Sequence, residues 1–193
     1  MPLTTEQQQN FEAFAARLGF QSGEHTSTLP MTGFKNEASS KKRVFSKDPS
    51  LATTPHKLVS IGNIDALKAA IGASNHENDE HITYPDPLNI EPNVKKRDLS
   101  MNQVQHLKRI AHAYIHGNSK KISESDKTLI NNTLFPTTLA AYSEPDYTVK
   151  SGEILELHEG TVANYGVLTV EPGGEIRVLG DASMNCQVFI QQS

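Results

Sequence analysis

His112 and His116 stand four residues apart. On a helix that spacing puts two imidazoles on one face, as helical metal sites require. The residue after His112 is Ala113 rather than Glu, so no zinc-protease motif is formed. Gln105, Lys108 and Arg109 share the same polar flank. Neighbouring cations disfavour a bound metal, and the pair reads as a solvated face. The run His76-Glu77-Asn78-Asp79-Glu80-His81 has the donor types a divalent cation takes, and a hydrophilic loop accounts for it equally well. Cys186, the single cysteine, would be a nucleophile only with a base such as His158 folded beside it. Its place in an apolar pattern reads instead as a small hydrophobe of the core. Glu153, Glu156, Glu159, Glu171, Glu175 and Asp181 supply carboxylate pairs of the kind glycosidases use, and an acidic outer face of a small sheet supplies them too. Lys41-Lys42-Arg43 and Lys95-Lys96-Arg97 are basic triplets diluted by acidic neighbours in a chain of net charge −4, which argues against nucleic acid as a partner. No phosphate loop, dinucleotide fingerprint or catalytic triad is present, so no catalytic, cofactor or metal residue is predicted.

The elements that would carry these groups are readable from capping and periodicity. Thr5 with Gln8 makes a capping box ahead of the stripe Phe11, Phe14, Ala15, Leu18, and Gly19 supplies the stop. Residues 21 to about 55 are rich in Ser, Thr, Lys, Asn and Gly and read as an extended, largely irregular arm. Asn63 caps a short helix with Ile64, Leu67 and Ile71 on one face. Pro85, Pro87 and Pro92 make the following stretch a surface loop. Ser100 with Gln103 opens the strongest helix, bearing Val104, Leu107, Ala111, Tyr114 and Ile115. Ser123 with Asp126 opens a second, so residues 99–145 read as a helical hairpin. Leu139-Ala140-Ala141-Tyr142 then leads through Glu144-Pro145 into a new module.

Composition changes sharply there. The last 43 residues hold six acidic residues, one basic residue (Arg177) and half of the glycines, which marks a boundary near residue 145. The apolar period becomes two, giving short strands with glycines between them. Leu168 and Val170 shifted by eight residues land on Ile176 and Val178, and again on Met184 and Cys186. Asn164-Tyr165-Gly166-Val167-Leu168-Thr169-Val170 and Gly173-Gly174-Glu175-Ile176-Arg177-Val178 resemble the rungs of right-handed parallel β-helix proteins, over about the last 45 residues. The resemblance implies a small β-solenoid. An antiparallel hairpin turning at Glu171-Pro172-Gly173-Gly174, as in a β-sandwich-like module, is the alternative, and it matches apolar faces less well.

The predicted fold class is therefore α+β: helices and a polar arm in residues 1–98, a helical hairpin in 99–145 and a glycine-punctuated β-module in 146–193. No apolar run approaches the roughly 18 residues a membrane span needs. The N-terminus lacks the basic and apolar stretches of a signal peptide, so cytoplasmic synthesis is expected, with leaderless export left open. The absence of Trp and an aromatic share of 6% argue against stacking platforms. The functional expectation is a non-enzymatic, self-assembling structural protein, a homo-oligomer, filament or particle built through the β-module and the arm. Gln187, Val188, Ile190 and Gln191 are its candidate contact residues. The alternatives are a module binding a carbohydrate or protein surface through exposed Tyr142, Tyr147 and Tyr165, or a secreted effector or toxin component.

Overall fold

The computed structural model describes residues 2–31, 41–75 and 79–193. In chain order its elements are α1 (Thr5–Arg17), β1 (Lys42–Phe45), β2 (Lys57–Ile61), α2 (Ile64–Ala70), α3 (Met101–His116), α4 (Glu124–Leu134), β3 (Thr137–Val149), β4 (Ile154–His158), β5 (Thr161–Val170), β6 (Glu175–Leu179) and β7 (Ser183–Gln191). The class is α+β. The chain forms two compact units, one from Met1–Val59 with Thr138–Ser193, the other from Ser60–Thr137. These boundaries differ from the expected divisions at residues 98 and 145. Composition marks where the glycine-rich turns begin, whereas strand pairing recruits β1 and β3 from outside that stretch.

The first unit carries two sheets, ordered β1-β4-β6 and β2-β3-β5-β7. The pairs β1–β4, β3–β5, β4–β6 and β5–β7 are all parallel. Thr161 lies beside Ala140, Glu175 beside Ile154 and Ser183 beside Val162, an advance of 21 residues each time. The eight-residue register is thereby corrected. Ile176 lies beside Leu155, and Cys186 beside Tyr165. Eight residues carry the chain from one sheet to the other, so apolar pairs recur at that spacing without hydrogen-bonding to each other. The antiparallel turn at Glu171–Gly174 is corrected for the same reason, because β5 and β6 belong to different sheets. Gly152, Gly160, Gly173 and Gly180 take positive φ at the corners, where a Cβ would be strained.

Leu139–Tyr142, expected as a connection, is the buried middle of the 13-residue β3. Pro145 interrupts its pattern and hides the strand from a reading by periodicity. A Cβ on Gly166 would clash with the Pro145 carbonyl oxygen, so only glycine fits there. The arm likewise supplies β1, whose Phe45 stacks on Tyr142 with ring centroids 3.8 Å apart and planes 5° from parallel. Four residues beginning Lys-Arg have little intrinsic strand signal, and their partner lies over 100 residues away. Residues 32–40 of the arm lie outside the described residues. The core holds Phe45, Ala140, Tyr142, Val149, Leu155, Leu157, Ala163, Tyr165, Leu168 and Val170.

Helix α1 packs on β5 and β7. Its capping box is Thr4 with Gln7, one residue earlier than expected. Two boxes overlap in Thr4-Thr5-Glu6-Gln7-Gln8, and either spacing satisfies the rule. A polar ladder runs under this helix. Ser143, Asn164 and Asn185 occupy one register position on three successive strands. Asn185 Nδ2 donates to Asn164 Oδ1 at 2.8 Å, and Asn164 Nδ2 donates to Ser143 Oγ at 3.2 Å and to the Phe11 carbonyl at 3.0 Å. Asn164 is fully buried and these bonds satisfy it.

The second unit has its own core of Ile64, Leu107, Ile110, Ala111, Tyr114, Leu129 and Ile130. Asn63, Ser100 and Ser123 cap α2, α3 and α4. Buried Lys68 donates to the carbonyls of Tyr114 and Gly117 at 2.7 and 2.8 Å. It thus satisfies acceptors that the C-terminus of α3 leaves open and places positive charge at the negative end of the helix. The proline-rich loop is tied down by Asp126, which accepts from the Leu88 amide, and by Asn132, which donates to the Pro92 carbonyl. No helix among the described residues is long and apolar enough to cross a membrane.

Candidate assembly surface

Strands β6 and β7 are the last of their respective sheets. Val178 lies beside Leu157, Met184 beside Ala163 and Phe189 beside Leu168, and all three partners are fully buried. The register therefore places Val178, Met184 and Phe189 in core columns, yet they are 55%, 38% and 51% exposed. Leu179, at the end of β6, is 47% exposed. Together they form an exposed apolar surface along the outer strands of the two sheets. Val178 and Met184 continue the apolar alternation of the sequence, but nothing among the described residues covers them.

The β7 sequence, Ser-Met-Asn-Cys-Gln-Val-Phe-Ile-Gln, contains no charge, proline or glycine. Edge strands of natural proteins are normally blunted by such residues, because unpaired N–H and C=O groups template pairing with another chain. The opposite edge of the other sheet is blunted. On β1 the Val44 amide donates to Thr53 Oγ1 at 2.8 Å, and the Thr53 amide donates to the Val44 carbonyl at 3.1 Å. Lys42 and Arg43 add charge there and reach Glu156 and Glu153 at 2.6 and 3.1 Å.

Of the predicted contact residues, Gln187, Val188 and Ile190 are half-buried in β7 and Gln191 is exposed. The tyrosines are a correction. Tyr142 and Tyr165 are buried in the core and Tyr147 is half-buried against it. None of the three forms an exposed platform, because each lies in an inward column where its ring contributes most to burial. The Ser46 amide donates to the Tyr142 hydroxyl at 2.9 Å, and Tyr147 donates to Glu153 at 2.8 Å. The Tyr165 hydroxyl has no partner among the described residues. Burial pushes all three phenols well above their usual pKa.

No family model, curated protein or solved structure matches the chain.

The remaining chemistry-bearing groups are dispersed. Cys186 is half-buried, and burial raises its thiol pKa, while His158 lies 3.2 Å from Glu156. The rings of His112 and His116 are 4.4 Å apart on the exposed face of α3. His76, Glu77 and Asn78 lie outside the described residues. Asp79 turns away from solvent, accepting from Lys121 at 2.7 Å and from the Tyr84 hydroxyl, while His81 is exposed. Among the described residues no three His, Cys, Asp or Glu side chains converge as a metal site would require. A groove of about 360 Å³ between α1 and the Phe20–His25 loop is floored by Phe11, Ala15 and Phe20, and Glu24 on its rim is engaged by Lys57 and the Gln21 amide.

Proposed function

We propose that the β unit is a short parallel solenoid whose terminal coil is an assembly edge, and that the protein is a non-enzymatic structural component that associates with itself through β6 and β7. One observation carries the reading: three residues in register with the buried core, Val178, Met184 and Phe189, stand exposed beside an uncharged edge strand. A coil stacked on them would bury apolar area at about 25 cal/mol per Å² and would pair the open backbone groups. The described part of the polar arm is engaged within its own chain, so the reading rests on the C-terminal edge alone. Light scattering over a concentration series tests it. The wild-type chain is expected to exceed 21.2 kDa, and Phe189→Lys, at a half-exposed position, is expected to return it to monomer, with circular dichroism checking that the variant is folded. A wild-type monomer at every concentration would refute the proposal.

A further inference from the structure

Resting on that reading, we infer that the occupant of the open edge is the same edge of a second copy, related by a two-fold axis, so that assembly stops at a closed dimer. The two edges of the β1-β4-β6 sheet are unlike. At β1, Thr53 takes the amide and carbonyl of Val44, and Lys42 and Arg43 carry charge, which disfavours continuation of this sheet by a second copy there. At β6 no further strand pairs among the described residues. A contact between unlike ends would propagate into a filament, whereas an open end that meets its own copy closes on itself.

The charge pattern of β6 fits this arrangement. Glu175 and Arg177 lie two residues apart on one face, joined by bonds of 2.7 and 2.9 Å. Antiparallel pairing of two β6 strands about Ile176 sets Glu175 opposite Arg177 of the second copy, and Arg177 opposite Glu175 of the second copy. Opposite charges directly across a strand pair stabilise it, and like charges there do the reverse. Uncharged β7 meets its own copy without repulsion, and Val178 and Phe189 close the apolar end.

Charge exchange distinguishes this geometry from any head-to-tail contact. Glu175→Arg alone sets Arg against Arg, and Arg177→Glu alone sets Glu against Glu. Each is expected to weaken the dimer by roughly tenfold or more. The two single variants mixed together pair Arg with Glu at both contacts and are expected to form a heterodimer. The double variant Glu175→Arg/Arg177→Glu is expected to dimerise with itself. The readout is sedimentation equilibrium, with circular dichroism confirming the fold of each surface variant. A wild-type dimer with this rescue pattern supports the inference. Filaments or larger oligomers abolished by Phe189→Lys keep the assembly proposal and overturn the two-fold. A dimer indifferent to Phe189→Lys and to the charge exchanges overturns both, as does a wild-type monomer.

Discussion

Tyr142 and Tyr165 occupy similar core positions and should respond oppositely to loss of their hydroxyls. Tyr142 accepts from the Ser46 amide and lies within 3.2 Å of the Ser46 carbonyl and His56 Nδ1. Tyr142→Phe leaves those groups short of a partner and is expected to cost about 1–3 kcal/mol in urea denaturation. Tyr165→Phe removes a buried hydroxyl with no described partner, and is expected to be neutral or stabilising by up to about 1 kcal/mol in the same measurement. Asp79 makes a separate prediction. Its hydrogen bonds from Lys121, then from Tyr84, hold its carboxyl down from 3.8 to about 2. Because the folded value is the lower, the stability it contributes is complete above about pH 4 and is lost as pH falls toward 2. Thermal unfolding between pH 5 and 2 should show this loss, and Asp79→Asn should remove that component of the slope. None of these roles was legible in the sequence: a tyrosine's partner, or a carboxylate's, is chosen by tertiary neighbours, not by spacing.

At the scale of elements, capping was legible and pairing was not. Ser100 with Gln103 predicts the start of α3 because both partners lie within one turn. β1 and β2 carry no strand signal because their partners are distant in sequence, and of β3 only Tyr147–Val149 reads as a strand because Pro145 breaks the alternation ahead of it. Two element-level predictions follow from the packing of β3 on β5. Gly166→Ala drives a methyl into the Pro145 carbonyl and is expected to destabilise by about 1–3 kcal/mol, read by chemical denaturation. Asn164→Leu breaks the buried ladder, stranding the Phe11 carbonyl and Asn185 Nδ2. It is expected to cost on the order of 3 kcal/mol, and amide exchange should quicken along β5 and β7.

At the scale of the whole molecule, the forces at the proposed edge are separable by salt. Exposed charge pairs are screened within about 3 Å at 1 M salt, whereas apolar burial is not weakened. Sedimentation in 1 M sodium chloride is therefore expected to leave the wild-type dimer assembled, and to remove most of the difference between wild type and Glu175→Arg. A dimer that dissociates in salt would assign its stability to the β6 charges instead. The sequence by itself determined the α+β class, the capped helices and the concentration of glycine-punctuated strands toward the C-terminus, because these depend on residues a few positions apart. The tertiary structure alone decided the 21-residue advance, the recruitment of β1 and β3, the burial of the tyrosines and the exposure of Val178, Met184 and Phe189. Each depends on which distant strands pair. An apolar residue has the same local signature whether a neighbouring strand covers it or leaves it exposed.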